Sequence, residues 1–140
     1  ASFYNSIFIN QHEGIFFHNS EQSSASFNRL RSGNIVFRNN VFFDVAHNSD
    51  SMVFRTFETI LTQPELDFLV NYFASNNHIF ANPDFDMDQD GLNPVPRQPI
   101  NNTTTPPDRW FTWENFCGAF GSENWASGWT ALSKYGFLKD

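Results

Sequence analysis

The chain has 140 residues, enough for one domain around one core, and eight basic against fifteen acidic residues leave a net charge of −7. That sign argues against nucleic acid and anionic lipid as partners, and no apolar run is long enough for membrane insertion. Phe occurs eighteen times beside abundant Asn and few Lys or Glu, a usage that favours stacked strands with Asn-supported turns over a helical bundle.

Residues 3–10 alternate rings and β-branched side chains and read as one strand, with Phe3, Asn5, Ile7 and Ile9 on one face and Tyr4, Phe8 and Asn10 on the other. Residues 11–14 form a turn, 15–17 a second short strand, and 18–26 a polar loop. After Gly33 come two strand-like runs, 34–38 and 41–45, separated by Asn39 and Asn40. Asn tolerates the left-handed backbone that a sharp bend requires. Locally, an Asn-Asn hairpin and a bend between two rungs of a parallel β-helix are both compatible with this pattern. A further strand is expected at 52–57.

The period then changes. Thr62-Gln63-Pro64-Glu65 is a capping box with proline in the first turn, where no intrahelical bond is lost. Leu66, Leu69, Val70 and Phe73 mark one stripe of a helix that ends at Asn76-Asn77. A helix this short needs a body to pack against. From 82 to 107 the chain is rich in Pro, Asp and Asn and reads as irregular. Trp110, Phe111 and Trp113 follow.

The last third alternates large rings with small residues. Phe116, Phe120, Trp125 and Trp129 read as plugs over an apolar surface, each flanked by Gly, Ala or Ser. The alternative is a sugar-binding platform, which needs two or more of these rings exposed and coplanar. Gly118-Ala119-Phe120-Gly121, Asn124-Trp125 and Gly128-Trp129-Thr130 resemble a GAF-x-x-x-NW-x-x-GWT ending of large secreted bacterial proteins of the right-handed parallel β-helix type. Leu92-Asn93-Pro94-Val95-Pro96 is similar to the LNPVP segment that precedes it there. The resemblance implies β-helix rungs with a C-terminal cap and an extracellular or cell-surface location. It also tips the Asn39-Asn40 bend toward the rung reading. It implies an architecture rather than an activity.

Candidate chemistry is sparse. Asp84, Asp86, Asp88 and Asp90, followed by Gly91, match the first half of a calcium loop, where alternate carboxylates converge on one hard cation. The second half departs from an EF-hand, because Arg97 stands where a bidentate Glu belongs and Pro94 occupies the ninth position. Ca²⁺ is therefore expected to need backbone carbonyls or distant groups such as Asp44 or Asp108. Four histidines, His12, His18, His47 and His78, lack helical zinc spacing, although His12 and His18 can approach His47 from a neighbouring rung. Cys117 allows no intramolecular disulfide and, with no basic neighbour, reads as a buried inert thiol. A polysaccharide lyase or hydrolase would draw on Asp44, Asp50, Arg38 and Arg55, which read as isolated surface charges. No catalytic residue is assigned.

The expected protein is mainly β: rungs of a right-handed parallel β-helix over 1–57, a helix and connection over 58–81, and an acidic, Pro-rich loop with an aromatic cap over 82–140, all one structural unit. Its expected function is structural, capping a solenoid or mediating assembly, with a carbohydrate-binding module as the alternative. No signal peptide opens the chain and Ala1 falls inside a strand, so a processed form or a piece of a longer chain is expected. The strand layer nearest Ala1 is expected to be open, and to pair with preceding rungs or further copies, giving a filament if the pairing is head-to-tail and does not close.

Overall fold

A computed structural model of the protein describes residues 1–18, 20, 25–57, 62–88 and 91–138. In chain order the elements are β1 (Ser2–Tyr4), β2 (Ile7–Gln11), β3 (Ile15–His18), α1 (Ser26–Arg31), β4 (Val36–Arg38), β5 (Val41–Val45), α2 (Asp50–Val53), β6 (Phe54–Phe57), α3 (Gln63–Ser75), β7 (Ile79–Phe80), β8 (Asp86–Asp88), β9 (Gly91–Asn93) and α4 (Ala131–Lys134). Strands β1, β2 and β3 form one layer. Each pairs in parallel with its counterpart in the next layer: β1 with β4, β2 with β5 and β3 with β6. β7 adds in parallel to the far edge of β5.

Like residues sit over like in this register. Phe3 pairs with Phe37 and Phe8 with Phe42, their rings stacked at 4.6 and 5.1 Å. The bends also match. Asn5 and Asn39 have φ of 51° and 53°, and Asn10 and Asp44 have 54° and 51°. Asn and Asp are the non-glycine residues that best tolerate this conformation. The left-handed residue at Asn5 breaks the expected single strand into β1 and β2 and resets its alternation. Phe3 and Phe8 therefore both stack inward, while Ile7 turns toward the chain that follows β9. The Asn39-Asn40 bend joins strands of two different sheets, so it is not a hairpin.

The expected β-helix is not what forms. The parallel strands are two to five residues long and fall into small separate sheets, with no closed or solenoid sheet among the described residues. Helix makes up about 25% and strand about 22%. The reason lies in the connections. The segment expected as polar loop leads into α1, which buries Phe27 and Leu30, and the first two residues of the strand expected at 52–57 belong to the helical turn α2. Residues 86–93, expected to be irregular, include the antiparallel pair β8–β9.

The core lies between the two layers and α3. It comprises Phe17, Phe27, Leu30, Phe37, Phe42, Val45, Ala46, Val53, Phe54, Leu69 and Phe73. The α3 capping box forms as expected, the Glu65 carboxylate accepting both the backbone N–H and the hydroxyl of Thr62 at 2.8 Å. The buried face is rotated from the expected stripe. Leu69 and Phe73 are buried with Phe68 and Tyr72 beside them, whereas Leu66 is exposed. Gly14 marks the closest backbone approach, since a Cβ there would run into the carbonyl oxygens of Met52 and Val53.

One buried side chain ties the layers together. The Asn40 amide donates to the Phe3 carbonyl at 3.0 Å and accepts the Ser6 N–H at 2.9 Å. Its backbone carbonyl accepts the Ile79 N–H at 3.1 Å, at the start of β7. Asn40→Ala would leave a buried carbonyl and a buried N–H of the bend without partners. It is expected to destabilise by about 2–4 kcal/mol in denaturant unfolding; a loss within measurement error would contradict this role.

Candidate interaction surface

The chain after β9 returns to the Asn5 bend. The Asn5 side chain bonds both ways with Thr104, its Nδ2 donating to the carbonyl and its Oδ1 accepting the N–H, each at 2.9 Å. Gly118 N–H donates to the Asn5 carbonyl at 2.6 Å. Gly118 has φ of 88°, which favours glycine, and a Cβ there would press on the end of the Ile7 side chain. Beside it Cys117 is fully buried, its backbone N–H on the Ile100 carbonyl and its thiol donating to the Asn102 carbonyl at 3.2 Å. Burial pushes the thiol pKa up to about 11, which leaves an inert thiol, as expected.

Two clefts flank this seam. One, of about 490 Å³, is walled by Tyr4, Ile9, Phe85, Pro96 and Phe120. The other, of about 500 Å³, is walled by Phe3, Tyr4, Pro106, Phe111 and Phe116, with Glu114 at its rim. The sequence offered little warning of either, because their walls come from segments far apart in the chain. Gly118 in the terminal motif was the only local signal.

The aromatic plugs require a correction. Phe116 and Phe120 are half-buried, but Trp125 is 54% exposed and Trp129 70%. The small residues serve local folding instead of docking on a distant surface. Gly121 leaves room for the Phe116 ring, and Ala126 is buried. The Trp125 indole N–H donates to the Ala119 carbonyl and that of Trp129 to the Trp125 carbonyl. Phe120 stacks on Trp125 at 5.1 Å and Trp125 on Trp129 at 5.9 Å. These rings are exposed, as a sugar platform needs, yet they cover one another's faces and are not coplanar. Trp110, Trp113, Tyr135 and Phe137 are also more than half exposed.

Asp84 is exposed and lies 3.8 Å from Arg97, an exposed pair of little energetic weight. The backbone of Asp86–Asp88 pairs with Gly91–Asn93. The carboxylates of Asp86 and Asp88, and Asp90 altogether, lie outside the described residues. Among the described residues no three His, Cys, Asp or Glu come together as a metal site. His12 does meet His47, their rings edge to face at 5.1 Å. Of the residues a hydrolase would draw on, Arg55 lies over the Phe16 ring and Asp50 accepts the N–H of its neighbour Ser51.

No protein-family model, curated protein or solved structure matches the chain.

His78 is the histidine with a perturbed environment. It is buried against Phe42, Phe54 and Phe73, with ring centroids 5.3–5.6 Å away. Its Nδ1 accepts the Asn40 backbone N–H at 3.2 Å, a bond that only a neutral imidazole accepts there. Burial lowers its pKa to about 4. Because the folded value lies below the unfolded 6.5, the stabilisation is complete above pH 6.5 and lost as pH falls toward 4. The full loss is about 3 kcal/mol. The stability difference between the native chain and His78→Gln should shrink across that window; a flat difference would show that His78 titrates normally.

Proposed function

We propose that the chain is a non-catalytic structural module that joins other polypeptide through the outer edge of its first strand layer, in an extracellular setting. One observation carries this reading. The inner edge of β1–β2–β3 is fully paired to the second layer, while the opposite edge meets no strand among the described residues. The ladder shows which groups face outward. The Val41 N–H donates to the Ser6 carbonyl, so Ser6, Phe8 and the Asn10 N–H turn toward β5 and Ile7 and Ile9 turn away, while the left-handed Asn10 resets the alternation and returns Gln11 to Val45. The outward Ile9 carbonyl accepts the exposed Gln11 side-chain amide at 3.2 Å and no strand, and an edge of outward N–H and C=O groups is a template for strand addition. The exposed rings of the chain's last third add apolar surface of the kind that marks interaction sites. The terminal motif's resemblance to secreted proteins supports the extracellular setting.

A carbohydrate-binding module is the second reading, favoured by the exposed indoles of Trp125 and Trp129. Tryptophan emission titrated with soluble oligosaccharides separates the two. The structural reading expects no saturable change, and a change abolished by Trp129→Ala would replace it.

The edge itself is tested by amide hydrogen exchange in dilute protein. Ile7 and Ile9 N–H should exchange at least about 100-fold faster than Phe8 and Asn10 N–H, which are bonded to β5. Equal, strong protection at all four would mean that the edge is already covered, and the reading would fail.

A further inference from the structure

We propose that His12 and His47 form a binding site for a divalent transition ion, Zn²⁺ or Cu²⁺, which clasps the two strand layers together. The inference is independent of the edge reading above.

The strand register brings the two histidines to one place. Gln11 at the end of β2 lies opposite Val45 at the end of β5. His12 directly follows Gln11, and His47 follows Val45 after one residue. Paired strands lie about 4.8 Å apart, so groups at their matching ends face each other over about that distance. The turn that carries His47 is left-handed throughout, with φ of 47° at Ala46, 58° at His47 and 55° at Asn48. L-residues seldom adopt such a run. The Asn48 side chain closes it by accepting the Asp44 N–H at 2.9 Å. The outcome is the edge-to-face meeting of the two imidazoles, their centroids 5.1 Å apart and their planes at 87°.

That separation is the one a shared ion requires. Two Zn–N bonds of about 2.0–2.1 Å at a tetrahedral angle hold the two ring centres about 5 Å apart. The angle between the ring planes is left free, because each ring turns about its own metal–nitrogen bond. Both histidines are exposed, so turning one nitrogen of each toward the ion displaces no packed core side chain. Charge also favours a cation. Residues 11–14 and 44–50 hold Glu13, Asp44 and Asp50 and no Lys or Arg. Imidazole selects Zn²⁺ or Cu²⁺ over Ca²⁺, which takes hard oxygen donors. Among the described residues no third His, Cys, Asp or Glu joins the pair. The remaining coordination positions therefore go to water, and the ion is held reversibly. Asn40 bonds Phe3 and Ser6 near the start of β2. An ion beyond the end of β2 ties the same two layers at a second point.

The test is titration of the intact chain with Zn²⁺, followed through the imidazole nitrogens by NMR and through the heat of binding. The His12 and His47 signals should shift together and saturate at one ion per pair, while those of His18, also exposed, stay in place. Ca²⁺ at the same concentration should move neither. His12→Gln and His47→Gln should each weaken the ion by about tenfold or more and leave the remaining histidine unresponsive. Zn²⁺ should raise the melting temperature of the native chain and of neither variant. Circular dichroism confirms that each variant is folded before it is scored; the shifts of the native chain decide the matter if one is not. Imidazole signals that do not respond to Zn²⁺ would overturn the site. So would a His18 response of equal affinity, or a folded variant that binds as tightly as the native chain, since either would mean ordinary attachment to single surface histidines.

Discussion

The two strand layers are held in register by the buried amide of Asn40, which reaches back to the Phe3 carbonyl and the Ser6 N–H while its own backbone bonds His78 and Ile79. Strands of three to five residues cannot fix their own register strongly, since each contributes few ladder bonds. A side chain that bonds across the bend between β1 and β2 does fix it. The stacking of Phe3 on Phe37 and of Phe8 on Phe42 then follows, because a shift of one residue would turn each ring to the opposite face. His78 belongs to the same arrangement. Its neutral ring takes the one Asn40 group that the strands leave over, and the aromatic core around it keeps the ring uncharged.

From this tie the two sides of the molecule differ. Beyond Asn40 the second layer carries β7 on the edge of β5, and the Phe37 and Asn39 N–H groups bond Tyr72 and Asn76. On the other side the first layer stops at an edge that no strand covers among the described residues. The chain after β9 bonds the Asn5 bend through Thr104 and Gly118, while on β2 the outward Ile9 carbonyl accepts the Gln11 side-chain amide. This asymmetry is what the proposed joining role draws on.

Much of the local structure was legible in the sequence. The run 41–45 is a strand with the expected bounds, the Thr62–Glu65 box starts α3, and Asn39 takes the left-handed bend. Cys117 is buried and inert, because its neighbours supply bulk and no charge. What was not legible depended on contacts between distant segments. The helix stripe is rotated, because Phe68 and Tyr72 find rings to pack against at Phe27 and Phe54 and Leu66 does not. The alternation of rings and small residues after Phe116 was read as a cap, yet Trp125 and Trp129 satisfy their indole N–H groups within their own turns and remain exposed. Spacing alone does not distinguish a segment that packs on itself from one that packs on something else. The clefts beside Asn5 were equally hidden, since Phe85, Phe111 and Phe120 meet the first layer only after the chain returns to it.

The central role of Asn40 is most directly tested by the exchange of its own side-chain amide protons, followed by NMR against those of Asn10, which is exposed. The account predicts that the Asn40 protons are resolved and exchange far more slowly than those of Asn10, in step with the Ser6 and Ile79 backbone amides. Exchange as fast as that of Asn10 would mean that the amide is not bonded across the bend, and that something else holds the two layers in register.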